Sequence, residues 1–218
     1  MSGRMMKRLL VVALACVAIA VLGVLSFSES GRSSGGVRLT RQVDGSMVLA
    51  DRGGNAPVLD VYEDFDCPIC RDMHAKVDAT IRKLAMEGKV KVIFHPVTIF
   101  QEEPMRSNSI RAAAAARCVP EESWLTFRDE LYAMQPAPHG EASGFAVEDL
   151  VKAARQAGAS VDECVRSQSY AQAHLAETAK VRLQGTPTVL LNGQLLGNEA
   201  FDPAALERVI TGGGGVTV

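Results

Sequence analysis

The chain has 218 residues, is 47% hydrophobic and carries a formal net charge of -2 at pH 7. Such a length and composition allow one domain with a substantial core. The near-neutral charge provides no basic surface for nucleic acid, so nucleic-acid binding is excluded as the main function.

The amino-terminal segment is typical of a membrane anchor. Residues 9–27 contain no charged side chain and are long enough to cross a bilayer as one helix. Three basic residues precede this run: Arg4, Lys7 and Arg8. By the positive-inside rule, residues 1–8 stay in the cytoplasm, and everything after Phe27 lies on the extracytoplasmic side. The sequence therefore predicts a single-pass cell-membrane protein with an exported domain.

Two alternatives compete with the anchor. Ala18-Ile19-Ala20 resembles a signal-peptidase site, but the apolar run continues beyond it through Val24 and Leu25, which favours an uncleaved segment. Cys16 suggests a lipoprotein, yet Ala13 stands three residues earlier where a larger aliphatic residue is typical. A lipid-facing thiol is the preferred interpretation of Cys16.

The folded domain is bounded by two flexible segments. Residues 28–36 are rich in serine and glycine and predict a linker, while residues 211–218 contain four consecutive glycines and predict a flexible tail. The domain therefore spans residues 37–210. Near its start, Asp44-Gly45 separates two short apolar runs and predicts a β-hairpin.

A strand-helix-strand unit follows. Residues 56–65 are rich in β-branched and aromatic side chains and predict a strand. From Arg71 to Gly88, apolar residues recur every three or four positions, which predicts a helix. Residues 89–94 predict the second strand. The tetrapeptide Cys67-Pro68-Ile69-Cys70 thus lies where the first strand enters the helix.

This position favours redox chemistry for the Cys-x-x-Cys motif. The free N–H groups and dipole of a helix start stabilise negative charge, so Cys67 can be a thiolate near neutral pH. Cys70, one turn further on, can close onto it in a reversible two-electron switch. Half of a zinc site and a purely structural disulfide are the alternatives. His74 shares a helix face with Cys70, but no second Cys-x-x-Cys completes a site, and we expect no metal.

A helical insertion separates this unit from the next strand. About ninety residues lie between Phe94 and the strand at Thr188-Val189-Leu190-Leu191, far more than one crossover needs. We place the insertion at about residues 97–184. Four segments within it have helical spacing or high helix propensity: residues 106–118, 123–134, 147–157 and 162–183.

Two further cysteines, Cys118 and Cys164, fall near predicted helix ends in the insertion. In an exported domain, cysteines outside the redox motif are more often bridged than free. Two buried thiols are the alternative.

The carboxyl end completes the domain. Gly185-Thr186-Pro187-Thr188 leads into a strand that turns at Asn192-Gly193. A final helix is predicted over residues 203–210, with Asp202 as its cap and proline at its first position.

Three motifs carry a family resemblance: the segment ending in Cys67-Pro68-Ile69-Cys70, the alanine-rich run ending Arg117-Cys118, and Thr186-Pro187-Thr188-Val189 with Asn192-Gly193. Together they resemble the DsbA-like thiol:disulfide oxidoreductases, most of all the membrane-anchored actinobacterial members. The resemblance covers about residues 37–210.

The resemblance implies an α/β thioredoxin fold with an inserted helical subdomain. It also implies a cis Pro187 that faces the two active-site sulfurs, with Thr186 and Pro187 forming a substrate groove. Cys118 and Cys164 would form a structural disulfide. Clients would be unfolded exported proteins with reduced cysteines, no cofactor would be needed, and a membrane quinone reductase of the vitamin K epoxide reductase type would reoxidise the protein.

The chain departs from relatives at two positions. Ile69 stands where the best-studied DsbA proteins have histidine, which helps stabilise their reduced thiolate. Val61 stands where thioredoxins have a buried acid, six residues before the first cysteine. Glu63 or Asp64 is a candidate substitute as proton relay, although a carboxylate at a strand end is more often solvated.

The predicted function is therefore an exported disulfide oxidase that uses Cys67 and Cys70. Two alternatives remain: an exported reductase of the cytochrome-maturation type, which would use the same residues in the opposite direction, and a thioredoxin-fold binding module or holdase without catalysis. An exposed Cys67 of low pKa separates the enzymes from the binding module, and the redox potential separates the two enzymes.

Overall fold

The computed structural model describes residues 36–51, 55–135 and 144–212. The chain divides after Gly35, and all described residues belong to the second unit. The predicted anchor, most of the linker and most of the tail lie outside these ranges. Among the described residues, no helix combines the length and apolarity needed to span a membrane.

The described residues contain one mixed sheet of six strands in the order β1-β2-β4-β3-β5-β6. The strands are β1 (Arg38–Arg41), β2 (Met47–Ala50), β3 (Val58–Glu63), β4 (Lys91–Pro96), β5 (Thr188–Leu191) and β6 (Gln194–Leu195). Only β3 and β4 pair in parallel, with Val61 opposite Phe94, and the other neighbours are antiparallel. Helix α1 (Pro68–Met86) connects the parallel pair.

The strand-helix-strand unit forms because two apolar faces meet. Along β3, intermediate and buried positions alternate. The apolar positions of α1 that the sequence predicted are all buried: Met73, Val77, Ile81 and Leu84. The helix ends before Gly88, whose φ of +68° suits a residue without a Cβ. As a result, the carboxyl end of β3 and the first turn of α1 are held at one edge of the sheet.

The helical insertion lies between β4 and β5. It contains α2 (Met105–Cys118), α3 (Glu121–Ala133), α4 (Val147–Gln156), α5 (Asp162–Arg166) and α6 (Ala171–Thr178). The alanine run of α2 is buried from Ala112 to Ala116, and these small side chains allow neighbouring helices to pack closely. The prediction of an α/β fold with a helical insertion is confirmed.

The structure divides the helical segment predicted over residues 162–183 into α5 and α6. Helix α5 ends at Arg166, where the Ser167 hydroxyl donates a hydrogen bond to the Glu163 carbonyl at 2.7 Å. Gln168 then has a φ of +51°, which a continuous helix does not allow. Serine and glutamine do not break helices strongly, so periodicity alone did not reveal this turn.

The final helix, α7 (Pro203–Ile210), has the predicted cap. The Asp202 Oδ1 atom accepts a hydrogen bond from the Ala205 N–H at 2.6 Å, and proline occupies the first turn. Helix α7 packs against α1 and closes the apolar side of the unit that carries the cysteines.

Candidate active site

The Cys-x-x-Cys motif occupies the turn between β3 and α1. Cys67 is the residue that caps the helix, with extended backbone angles, and its N–H donates to the Asp64 carbonyl at 3.1 Å. Pro68 takes the first helical position, where no N–H partner is needed. Cys70 lies one turn further on. Both cysteines are free thiols in the structure.

The environment of Cys67 favours its thiolate. A hydrogen bond from the Cys70 thiol is the main cause that lowers the pKa of Cys67 to about 6, from an ordinary value of 9.0. The Thr186 side chain and the backbone N–H groups of Ile69 and Cys70 lower it further, against the opposing effect of burial. Donor groups near the sulfur therefore favour its charged form.

The environment of Cys70 favours the protonated thiol. Its side chain is fully buried, and burial raises the pKa of its thiol well above the ordinary value. The negative charge of Cys67 raises it again. The closest backbone donor is the N–H of Asp64, 3.5 Å from Cys70 Sγ. At neutral pH the pair therefore holds one charge, and that charge is on Cys67.

Access to Cys67 is narrow. The residue is only 6% exposed, whereas the neighbouring Ile69 is 55% exposed. Cys67 therefore has the low pKa expected of an enzyme but not the expected exposure. Cys67 Sγ lies 3.3 Å from the Thr186 carbonyl oxygen, and the Thr186-Pro187 peptide bond is cis. The loop that carries these two residues therefore lies against the sulfur and limits access to it.

Glu63 is held by a buried ion pair. Arg128 Nε and Nη2 each donate to a different Glu63 oxygen at 2.7 Å, and the Tyr132 hydroxyl donates at 2.9 Å. The same guanidinium also donates to Asp78 at 2.5 Å and lies over the Phe94 ring at 4.5 Å. With all these donors directed at it, the Glu63 side chain is fixed in a structural role.

Asp64 has a different environment, although it is equally buried. Its carboxylate accepts hydrogen bonds from the N–H groups of Asp66, at 2.9 Å, and Ile99, at 2.8 Å. Burial is the main cause that raises the pKa of Asp64 to about 7, and the Cys67 charge raises it as well. The two N–H groups and the Ser109 side chain lower the pKa of Asp64, but they only partly offset the effect of burial. Asp64 can therefore gain or lose a proton near neutral pH.

Sequence reasoning missed two residues that position the motif. The Gln135 amide donates to the carbonyl oxygens of Phe65, at 2.7 Å, and Cys67, at 3.0 Å, and so connects the end of α3 to the active-site turn. No local pattern marks Gln135. Arg128, by contrast, stands between Phe127 and Leu131 on the apolar face of α3, and a charge on that face is a signal for a buried partner.

His74 lies in an ion-pair network. Its Nε2 is 2.8 Å from Asp129 and 3.8 Å from Asp78, a spacing that could hold a metal ion. Arg82 contacts both carboxylates, and Arg128 contacts Asp78 as well. Because two guanidinium groups already neutralise these carboxylates, the cluster does not suit a cation.

Cys118 and Cys164 lie far from the motif in the chain and form a disulfide. Their Cα atoms are 5.9 Å apart, and the bond joins α2 to α5 across 46 residues.

Comparisons with known proteins agree with this geometry. The Thioredoxin family model, Thioredoxin_4, matches residues 53–211. Among solved structures, reduced DsbA from Mycobacterium tuberculosis is 28% identical, with a TM-score of 0.66 over 82% of this chain and 92% of that one. The reduced disulfide bond oxidoreductase DsbG from the same organism is 29% identical, with a TM-score of 0.68 over 78% and 88%.

A third structure shows the fold alone. MdbA, a thiol-disulfide oxidoreductase from Actinomyces oris, is 24% identical, with a TM-score of 0.65 over 83% of this chain and 93% of that one. A search of curated proteins finds no match.

Proposed function

The chain belongs to the thioredoxin family, and from that premise we propose that it is a DsbA-like thiol:disulfide oxidoreductase that forms disulfide bonds in other proteins through Cys67 and Cys70. The observation that carries this proposal is the asymmetry between the two thiols. The pKa of Cys67 is lowered to about 6, while that of Cys70 is raised well above its ordinary value. A stable thiolate on Cys67 favours the reduced form and makes the disulfide an oxidant.

The reaction starts from the Cys67–Cys70 disulfide. A client thiolate attacks Cys67, which forms a mixed disulfide and releases Cys70 as a thiolate that takes up one proton. A second client thiolate then attacks the client sulfur of the mixed disulfide. This step forms the client's disulfide bond and releases Cys67 as a thiolate. Two client thiolates are thus oxidised, and the protein gains two electrons and one proton.

Asp64, rather than Glu63, is the group that we propose to exchange the proton with Cys70. Glu63 is already paired with Arg128 and Tyr132. Asp64 is buried, its pKa is raised to about 7, and its backbone N–H contacts the Cys70 sulfur. A group with this pKa gives or accepts a proton at physiological pH with little cost.

Thr186 and Pro187 form the proposed client groove. Thr186 places its carbonyl 3.3 Å from the Cys67 sulfur, and Pro187 has no N–H to compete for hydrogen bonds. An extended client segment beside this loop would present its cysteine to Cys67. The exposed Ile69 supplies an apolar surface next to the same sulfur.

The cellular setting follows from the sequence. We propose that residues 9–27 anchor the protein in the cell membrane with its catalytic domain outside, where unfolded exported clients carry reduced cysteines. Reoxidation then needs an electron acceptor in the membrane, and a quinone reductase of the vitamin K epoxide reductase type suits that need.

Equilibration with glutathione, combined with an oxidation assay, tests the proposal. The oxidised protein should convert a reduced, unfolded model protein to its disulfide form, and Cys67→Ser should abolish this activity. Cys70→Ser should accumulate mixed disulfides with the client. A protein that reduces disulfides but oxidises no client would instead be the exported reductase, and one that does neither would be a binding module.

A further inference from the structure

A row of polar side chains runs through the interior from Asp64 to helix α6. The Ser109 hydroxyl is close enough to Asp64 to lower the pKa of that carboxyl, and it donates to Thr98 Oγ1 at 2.9 Å. Thr98 Oγ1 lies 2.8 Å from His174 Nε2, and the same nitrogen lies 3.5 Å from Thr178 Oγ1. Each side chain in the row is therefore within reach of the next.

The inner members of this row are shielded from solvent. Ser109 is fully buried, His174 is 2% exposed and Thr98 is 6% exposed. Buried hydroxyl and imidazole groups are costly unless they are hydrogen-bonded, and here they bond mainly to one another. The result is a continuous path of exchangeable hydrogens through an otherwise apolar interior.

The outer end of the row opens to a cavity. Thr98 and Thr178 line a space of about 400 Å³, together with Gln101 and Arg106. This volume holds several water molecules, and polar groups line its wall. Water in the cavity can therefore exchange protons with the outer end of the row.

The proposed reaction needs such a path. Cys70 is fully buried, so its sulfur cannot exchange a proton directly with bulk water. Asp64 can hold that proton, but Asp64 is also fully buried. Once Asp64 has given its proton to Cys70, it must recover one from solvent before the next cycle.

We propose that Ser109, Thr98 and His174 carry protons between the cavity and Asp64, and that this route serves the protonation and deprotonation of Cys70. The inference rests on the proposed function, because it assigns the residues that return protons to Asp64.

Every atom in the transfer is accounted for. When Asp64 is protonated, hydrogens point from Asp64 to Ser109, from Ser109 to Thr98, and from Thr98 to the lone pair of His174 Nε2. After Asp64 has lost its proton, the Ser109 hydroxyl turns toward Asp64 and the Thr98 hydroxyl turns toward Ser109, which frees the lone pair of His174 Nε2. A proton from the cavity then enters at this nitrogen by way of Thr178. This proton passes to Thr98, whose own hydrogen moves to Ser109, and the Ser109 hydrogen moves to Asp64. One proton enters and one reaches the carboxylate.

The charges around the route keep the protonated form of His174 short-lived. Burial is the main cause that lowers the pKa of His174 to about 4, and the positive charge of Arg117 on α2 lowers it further. Arg117 is itself close to Asp44 of the hairpin and Glu177 of α6. At the inner end, the Cys67 thiolate raises the pKa of Asp64. A proton therefore passes through His174 and comes to rest on Asp64.

A merely structural network is the competing explanation. The same hydrogen bonds would then only fasten α6 and the segment after β4 to α2. Removing one of them would lower stability but leave the proton-dependent step of catalysis unchanged.

Single-turnover oxidation by glutathione separates these explanations. The reduced protein is mixed with excess oxidised glutathione, quenched with acid and analysed by mass spectrometry. In the first step the Cys67 thiolate attacks the glutathione disulfide, which gives a Cys67 mixed disulfide and one glutathione thiolate. In the second step Asp64 takes the Cys70 proton, and the Cys70 thiolate displaces the second glutathione thiolate. Only the second step uses the route. Below pH 7 Asp64 holds a proton, because its pKa is raised to about 7, and this proton must leave along the route before Asp64 can take the one from Cys70.

Three variants interrupt the route with little change in shape: Thr98→Val, Ser109→Ala and His174→Gln. Each should slow the second step about tenfold or more, within the range for general acid-base catalysis, and leave the first step at the wild-type rate. The rise of the second-step rate with pH, centred near 7 in the wild type, should flatten in each variant. Ser123→Ala is the matched control, because Ser123 is a buried serine of α3 outside the route.

A measurement on the wild-type protein tests the route even when the variants fail to fold. In mixtures of H2O and D2O, several protons in flight should give a curved dependence of the second-step rate on the deuterium fraction. A straight dependence, or wild-type second-step rates and pH profiles in the folded variants, would overturn the route. If the wild-type protein forms no mixed disulfide at Cys67, the proposed function itself fails.

Discussion

Arg128 and Glu63 form a bidentate ion pair at the end of β3, with both hydrogen bonds at 2.7 Å and both side chains at most 1% exposed. This pair connects α3 of the insertion to the strand that leads into the Cys-x-x-Cys turn. A buried charge left without its partner is strongly destabilising, so the pair fixes the insertion and the active-site strand relative to each other.

Arg128→Met should therefore lower the free energy of unfolding by about 3–5 kcal/mol, because it leaves the Glu63 carboxylate buried without a cation. Urea denaturation measures the change. Arg155→Met is the control, since the exposed Arg155–Asp162 pair should contribute nothing measurable. Equal stability of Arg128→Met and the wild type would contradict a stabilising role for the Arg128–Glu63 pair.

Alkylation should distinguish the two thiols. In the reduced protein, the alkylation rate of Cys67 should rise with pH around a midpoint near 6, because its pKa is lowered to about 6. Cys70 should not react below pH 9, because the pKa of its buried thiol is raised well above 9.0. Iodoacetamide labelling followed by mass spectrometry of each peptide provides the rates, with Cys70→Ser as the single-thiol control. Equal rates at Cys67 and Cys70 would refute the assignment.

The redox potential should lie between those of thioredoxin, about -270 mV, and DsbA, about -120 mV. Lowering the thiol pKa from about 7, as in thioredoxin, to about 6 stabilises the reduced form about fivefold at pH 7, which raises the potential by roughly 20 mV. The missing histidine at Ile69 removes a further stabilising group. Equilibration with glutathione measures the potential, and a value at or below that of thioredoxin would favour the reductase.

Asp64 and His174 should impose opposite pH dependences on stability. Between about pH 4 and 7 the folded state keeps a proton on Asp64 that the unfolded state has lost, so the free energy of unfolding falls as pH rises. Between about pH 4 and 6.5 the unfolded state holds a proton on His174 that the folded state lacks, so the free energy of unfolding rises with pH. Each slope is at most about 1.4 kcal/mol per pH unit.

The two slopes nearly cancel in the wild type, and single variants should expose them. Relative to the wild type, Asp64→Asn should gain stability as pH rises from 4.5 to 6.5, and His174→Gln should lose it. Urea denaturation at four pH values measures both differences. Parallel pH profiles for all three proteins would show that neither group is perturbed in the folded state.

The Cys118–Cys164 disulfide should contribute up to about 4 kcal/mol by restricting the unfolded chain, given a separation of 46 residues. The double variant Cys118→Ser with Cys164→Ser should lose stability but retain rapid alkylation of Cys67. Urea denaturation and iodoacetamide labelling test the two parts. Loss of the Cys67 reactivity in a folded double variant would show that the bond also shapes the active site.

The sequence predicted those features that depend on local chemistry. Cys-x-x-Cys at a strand-to-helix junction indicated one acidic thiol, and the structure lowers the pKa of Cys67. The alternation along β3 also contained a signal for Glu63, which shares the buried face with Leu59 and Val61 although a strand-end carboxylate is more often solvated.

The proposed proton route could not be predicted, because its members come from separate elements. Thr98 follows β4, Ser109 lies in α2 and His174 lies in α6. Each is a polar residue in an ordinary local context, and only the packing of the insertion against the sheet brings them into hydrogen-bond contact. The same is true of Gln135, whose partners lie 68 and 70 residues earlier.

The disulfide of the insertion is itself a product of thiol oxidation, the chemistry that we propose for this protein. Along the described part of the chain, the cysteines pair in order of appearance, Cys67 with Cys70 in the proposed redox pair and Cys118 with Cys164. An oxidant that joins cysteines in the order in which they appear along the chain would therefore produce both pairs without any later rearrangement. Under the proposed function, a folded copy is such an oxidant for an unfolded one, so that maturation of the population would accelerate itself once the first molecules had folded.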